Sequence, residues 1–311
     1  MKNNKLEQSK ADKCIIWGIG IDYENIINQI RLEILKGSIE VVAVVSDVDS
    51  KYFRMKDGFS IITKEKLCQI KFDFLIIASR KFLKEITNEA LLLGIEERKI
   101  INGQMFHFSM FDWKRYISLV KEPVTILSDD CWGGYVYHDL FLPFTSPCIN
   151  ISWPLDYYLK FAQDPLYYLD QPLEMERDGD LMKNQCPIGR IGCGDKEIKM
   201  KFVHVTDFAT AKELWDKRKS RINRNRFFVK FGLPACGDNC ELLLEEFNKI
   251  QSPKICFYSG KTSISNVLYL PRFEWFVQQG ERVETIIFSD YIRLRRDLLY
   301  RDNVIDFRQN R

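Results

Sequence analysis

The stretch Lys13–Gly37, KCIIWGIGIDYENIINQIRLEILKG, decides how the chain begins. KCIIW is a short apolar run of the kind that forms a buried strand, and Gly18 and Gly20 follow it as a turn. Ile26, Ile27, Ile30 and Ile34 then recur at helical spacing, and Gly37 ends the helix as a C-cap residue. The residues beyond repeat this order. EVVAVVSDVD gives a second apolar strand ending in Asp47 and Asp49, FSII a third, and FDFLIIAS a fourth. A helix through Ala90 and Leu93 closes at Gly94, and RKII is a fifth strand. Strands alternating with helices predict a doubly wound parallel sheet over residues 1–121. MFDWKRYISLV reads as a bridging helix that Glu122-Pro123 breaks, so a second α/β domain is expected over residues 122–311.

Composition bounds what such a chain does. At 311 residues with 46% hydrophobic content it can build two cores, and nine cysteines in that length are no disulfide framework. The polar start MKNNKLEQSKADK has no apolar run behind it, so a reducing cytoplasm is the expected setting. VVAVV and FLIIA fall far short of the roughly 18 apolar residues a membrane span needs. A net charge of +3, from 46 basic and 43 acidic residues, is too balanced to imply a nucleic-acid partner. The cluster Arg224–Arg226 comes with no recognisable RNA-binding signature, and no nucleic acid is expected. No fixed-period repeat or low-complexity tract occurs, which removes solenoid architectures.

In the first domain, Gly18 and Gly20 would let backbone approach a phosphate at the positive N-terminus of the first helix, with Asp47 reaching a ribose hydroxyl. These three are the candidate nucleotide-binding residues. The third glycine of the dinucleotide fingerprint falls at Tyr23, which blocks the closest helix-to-strand approach, so the alternative is a Rossmann-like scaffold that binds no complete dinucleotide. KCIIWGIG, VVAVVSD, the turn at Gly58, FDFLIIAS and LLLGIEERKII together resemble the nucleotide-binding N-terminal domains of bacterial capsule and sugar-modifying proteins. Such domains often precede a hexapeptide-repeat acyltransferase. Those repeats are absent from Met105–Arg311, so that activity is not inferred.

In the second domain, PVTILSDDCWGGYVYHDL runs from an apolar strand into a helix with Gly133 and Gly134 in its first turn. Each glycine costs a helix about 1 kcal/mol relative to alanine. The expected reason is that a ligand lies on the helix N-terminus, where free N–H groups favour an anion. The same field would lower the thiol pKa of Cys131 and make it a candidate nucleophile, the alternative being a cysteine packed under the turn. Cys131 and His138 lie roughly 10 Å apart along one helix, too far to form a dyad. His138 is either a general base toward bound substrate or a helix cap. Asp129 and Asp130 either hold a cation or cap the helix, and Asp130 is grouped with Cys131 and His138 as candidate catalytic residues. Tyr157, Phe161 and Tyr168 suit either a core or a sugar ring. Phe208, Ala211, Trp215, Arg218 and Ile222 recur at spacings that bury Arg218, whose guanidinium then needs an internal carboxylate or an anionic ligand.

The strings SDDCWGG, YVYHDL, FTSPCINI, DYYLKFAQDPLYYL and W-x-x-R-x-x-R-I-N, between Val124 and Phe231, resemble an uncharacterised bacterial family associated with exopolysaccharide biosynthesis. The resemblance implies one site holding Asp130, Cys131, Trp132, Gly133, Gly134, His138, Trp215, Arg218, Arg221 and Asn223. Trp132, Gly133, Gly134, Arg218, Arg221 and Asn223 are the expected substrate-binding members. The expected function is a transferase or modifying enzyme using a nucleotide-linked or phosphorylated sugar, with a small anionic ligand as partner. The alternative is a non-catalytic nucleotide-binding or docking module. No metal is expected. The competing metal reading takes Cys236 and Cys240 as one zinc half-site, with Cys186 and Cys193 supplying a pair of nonstandard spacing.

Overall fold

The computed structural model describes residues 10–107, 111–175, 186–233 and 239–269. The chain divides into two compact units, Met1–Glu122 and Pro123–Arg311. In the first, β1 (Asp12–Trp17), α1 (Ile21–Leu35), β2 (Ile39–Val45), β3 (Met55–Lys56), β4 (Phe59–Ile62), β5 (Phe74–Ile77), α2 (Leu83–Leu92), β6 (Ile100–Asn102) and α3 (Trp113–Lys121) follow in order. The sheet runs β3-β4-β2-β1-β5-β6, and every pairing except β3 with β4 is parallel. Five of its strands are those expected. The sixth, β3, comes from a hairpin at Asp57-Gly58, where both residues take positive φ as a tight hairpin turn requires.

β1 is central and buried, and α1 lays Tyr23, Ile26, Ile27 and Ile30 into the core. Gly18 sits at φ +103°, its N–H donates to the Val45 carbonyl, and a Cβ there would lie 3.1 Å from the Ala78 oxygen. Gly20 is extended, and a Cβ on it would meet nothing. Asp22, in the first turn of α1, accepts from the Arg80 backbone N–H at 2.7 Å and from Arg80 Nε at 3.0 Å. These bonds to Arg80, working against burial, hold the Asp22 carboxyl below the usual range. An aspartate of this chain therefore already supplies negative charge at the helix N-terminus. α3 belongs to this unit: Trp113 Nε1 donates to Asp12 at 2.9 Å, and its backbone N–H donates to the buried Glu33 at 3.3 Å.

The second unit contains β7 (Thr125–Ser128), α4 (Trp132–Asp139), β8 (Ile151–Ser152), α5 (Leu155–Gln163), α6 (Pro165–Asp170), β9 (Glu174–Met175), β10 (Ile188–Ile191), β11 (Ile198–Phe202), α7 (Phe208–Lys219), β12 (Phe227–Leu233), α8 (Asn239–Asn248), β13 (Lys254–Tyr258) and β14 (Val267–Tyr269). They make a parallel sheet, β14-β13-β12-β7, and an antiparallel sheet, β8-β11-β10-β9. The apolar run Cys148–Trp153 forms only the two-residue β8, and β11 ends at Phe202, shortly before His204 turns to φ +64°. Phe227, Val229, Phe231 and Leu233 enter a core with Trp153, Phe161, Trp215 and Phe247. Tyr158 stacks on Phe231 at 6.0 Å and Phe231 on Phe247 at 5.9 Å. Phe161 and Tyr168 are thus core residues, and Tyr157 packs against the same core while only partly buried.

β7 ends the row of strands, and side chains satisfy its outer edge. Tyr137 of α4 donates its hydroxyl to the Val124 carbonyl at 2.6 Å and accepts from the Ile126 N–H at 2.8 Å. Thr145 also donates to Val124, and Ser146 donates to the Ile126 carbonyl. Removing a partner from a buried polar group costs about 1–3 kcal/mol. Tyr137→Phe should therefore lower stability by that amount in urea unfolding, with little change in the slope; an unchanged midpoint would show that the edge does not depend on this hydroxyl.

Candidate functional site

β12 reads FFVKFGL, and its lysine has no exposed surface. Lys230 pairs with Ser128, the last residue of β7, which brings the ammonium to the two aspartates that follow. Its Nζ donates to Asp129 at 2.9 Å and to Asp130 at 2.7 Å. The second Asp129 oxygen accepts from the Gly232 N–H at 3.2 Å. The second Asp130 oxygen accepts from the Trp132 N–H at 2.8 Å and from the Ser128 hydroxyl at 3.0 Å. A buried ammonium is tolerated only with such neutralisation and hydrogen bonding. The two aspartates follow the C-terminal end of β7, and Lys230 reaches them from the middle of the adjacent parallel strand; C-terminal strand ends are where sheets of this kind place ligands.

The two carboxylates are not equivalent. Asp129 is sealed, whereas the Asp130 side chain is 44% exposed. Burial raises the Asp129 carboxyl, and the neighbouring Asp130 charge adds to this against the pull of Lys230. For Asp130, Lys230 and the hydrogen bonds from Trp132 and Ser128 outweigh burial and hold the carboxyl below its usual range. The pair thus separates into an open, ionised carboxylate and a sealed one that binds protons more readily.

The thiols around the cluster are neutral. Burial, then Asp130, raises Cys131; burial pushes Cys148 up to about 12; burial also raises Cys256. The expected activation of Cys131 by the helix field is thereby corrected: desolvation and an adjacent carboxylate act in the opposite direction. The glycine pair makes room for the chain's own residues. A Cβ on Gly133 would lie 3.2 Å from Ile126 and 3.3 Å from Ser128, so its missing side chain admits β7 and not a ligand. Gly134 faces Ile149 at ordinary contact distance. The first helix amides are engaged within the chain, Trp132 by Asp130 and Gly133 by Ser128 at 3.3 Å.

Arg218 is half-buried in the last turn of α7 and donates to the Ile149 carbonyl. Ile149, whose carbonyl Arg218 engages, also faces Gly134 of α4 with its side chain. Burial lowers the Arg218 pKa, and Arg221 adds to this. Among the described residues Arg218 makes no ion pair with a carboxylate. Asp130, Cys131, Gly133 and Gly134 lie together at the start of α4, and Arg218 reaches that helix only through Ile149.

Other expected residues lie elsewhere or serve the core. His138 is exposed at the far end of α4. Trp132 is buried between Phe228 and Phe257, and Trp215 packs on Phe202. Asn223 bonds Thr125 and the Pro123 carbonyl at the beginning of β7, the opposite end of the strand from Asp129. Arg221 is exposed. In the first unit, Asp47 accepts from the Lys64 N–H at 2.9 Å. Of the cysteines considered for zinc, Cys236 lies outside the described residues, Cys240 is buried and Cys193 is exposed. No group of three His, Cys, Asp or Glu among the described residues is arranged to hold a metal. Lys230 was not among the expected residues; a lone lysine inside an apolar strand was the available signal.

Residues 102–299 match the family described as Domain of unknown function (DUF1919), and the chain belongs to that family. Residues 10–101 match the family model described as C2185-like, N-terminal. A protein of Haemophilus influenzae described as an uncharacterized protein is similar at 28% identity over 111 residues, 36% of this chain and 50% of that protein. The chain thus spans about half the length of that curated relative. No helix among the described residues is long and apolar enough to cross a membrane.

Lys230 lowers both aspartate pKa values, so removing it has a calculable sign. Without the ammonium the Asp129 value, already above the unfolded value of about 3.9, rises further, and the Asp130 value rises above it as well. The folded state then binds more protons than the unfolded state, and stability falls as pH rises through that window. Lys230→Met should cost about 3–5 kcal/mol at about pH 8 and clearly less at about pH 5. Urea unfolding at both pH values measures this, and an equal loss at both would contradict the ionic account.

Proposed function

We propose that the chain is an enzyme of surface or exopolysaccharide biosynthesis, a transferase or modifying enzyme acting on a nucleotide-linked or phosphorylated sugar. The observation that carries the reading is the Lys230, Asp129 and Asp130 cluster with its one open carboxylate, and a half-buried arginine, Arg218, is held at the Ile149 carbonyl. The sequence resemblance supplies the biosynthetic process, and the site chemistry supplies the roles. Asp130 is ionised and solvent-facing, so it can take the proton of an acceptor hydroxyl, as a weak base. In a glycosyl transfer, Asp130 takes the hydroxyl proton as that oxygen bonds to the anomeric carbon. The bond from that carbon to the donor phosphate breaks, and Arg218 with Arg221 stabilises the departing anion. Lys230 and Asp129 are positioning residues that fix the charge on Asp130. A cytoplasmic setting agrees with the free cysteines among the described residues.

A second reading, a non-catalytic nucleotide-binding or docking module, draws on a different observation. Every oxygen of Asp129 and Asp130 already has a partner within the chain. In that reading Gly18, Gly20 and Asp47 remain the nucleotide-binding candidates and the cluster is structural.

Incubation with a panel of nucleotide-linked and phosphorylated sugars, read for turnover and for thermal stabilisation, separates the two. Turnover is expected, with Asp130→Asn lowering kcat about 100-fold or more while donor binding persists. Arg218→Lys keeps the charge but loses the planar fork, and should weaken donor binding about tenfold with little effect on folding. Stabilisation without turnover would favour the module. Equal losses of binding and stability in Arg218→Lys would mark that arginine as structural.

A further inference from the structure

We infer that the C-terminal rim of the first unit's sheet docks on an anionic lipid surface. β2, β1 and β5 are adjacent and parallel, so the loops that leave them emerge at one end of the sheet. At about 4.8 Å between neighbouring strands, the loops after β2 and β5 begin within roughly 10 Å of each other. Each carries large apolar side chains that the core does not use. Ile21 follows β1 and is 74% exposed; Val48, Tyr52, Phe53 and Met55 follow β2, with Tyr52 75% exposed; Phe82 follows β5 and is half exposed. Single exposed apolar residues are ordinary, but several from three loops at one end of a sheet mark an interaction surface.

The charges select the partner. Lys51 and Arg54 interleave with Tyr52 and Phe53, and Lys81 Nζ lies 4.9 Å from the Phe82 ring centroid. Four acids of this region face cations, Asp22 with Arg80, Glu24 with Lys56, Asp47 with Lys64 and Asp57 with Arg31, while Asp49 accepts from the neutral Ser46 hydroxyl and Glu85 has no ion pair among the described residues. Lys51, Arg54 and Lys81 have no ion pair among the described residues. The rim therefore presents projecting aromatic and aliphatic groups with unneutralised cations between them. An anionic bilayer meets both demands at once, since its headgroup region attracts the cations and its acyl boundary takes the apolar side chains.

The test is co-sedimentation of the full chain with vesicles of mixed phosphatidylglycerol and phosphatidylcholine, against vesicles of phosphatidylcholine alone. Binding to the anionic vesicles alone is expected, weakening with salt. Tyr52→Ser with Phe53→Ser, and separately Lys51→Glu with Arg54→Glu, should each lower the partition coefficient about tenfold or more. All four side chains are exposed, so circular dichroism should show intact folding. Lys217→Glu in the second unit should bind as the unaltered chain does. Failure of the unaltered chain to bind anionic vesicles would overturn the inference, as would rim variants that bind equally well. A change in oligomeric state or nucleotide affinity without vesicle binding would assign the rim to a second copy or a small ligand instead.

Discussion

A lysine ammonium with no contact with water has to be neutralised where it stands, and in the second unit that constraint organises much of the structure. Lys230 draws Asp129 and Asp130 to the end of β7. Asp129 in turn holds the Gly232 N–H, while its own carbonyl accepts from the Trp153 N–H beside β8. Asp130 begins α4 by taking the Trp132 N–H, and Tyr158 of α5 donates to the Lys230 carbonyl at 2.7 Å. Strand, helix and second sheet thus meet around one cation. Burial alone does not make such a cluster stabilising relative to apolar packing; its value lies in register and in the ionisation states it imposes.

That imposed asymmetry connects the fold to chemistry. Two adjacent carboxylates with the same cation differ because one is sealed and the other is open to solvent. The sealed one favours its proton, the open one remains ionised, and the surrounding thiols stay neutral. The Cys131 thiol therefore stays protonated, and Asp130 is the ionised group of the cluster that faces solvent.

The α/β class and the strands of the first unit were legible because their apolar runs have the length and punctuation of buried parallel strands. KCIIW, EVVAVV and FDFLIIAS fall on β1, β2 and β5. The antiparallel sheet was less legible: β8 and β9 are two residues each, too short to show alternation. At the candidate site, SDDCWGG drew attention to the right turn, but its partner lay about a hundred residues away, and pairing over that separation has no local periodicity. FFVKFGL is buried throughout, so lysine could not be assigned to a solvent face by alternation. Gly133 makes room for Ile126 and Ser128 of β7, and sequence does not distinguish such a neighbour from a ligand. His138 and Asn223 were grouped with the site by resemblance, and the fold separates them along a helix and a strand.

The most direct measurement is a carboxyl-detected NMR titration of the full chain with labelled aspartate, assigning Asp129 and Asp130 by single Asp→Asn replacements. The expected result is two coupled transitions, one above the ordinary aspartate range of about 3.9 and one below it, with both moving upward in Lys230→Met. Two independent transitions near the ordinary value, unchanged by loss of the lysine, would contradict the claim that Lys230 sets the charge of this site.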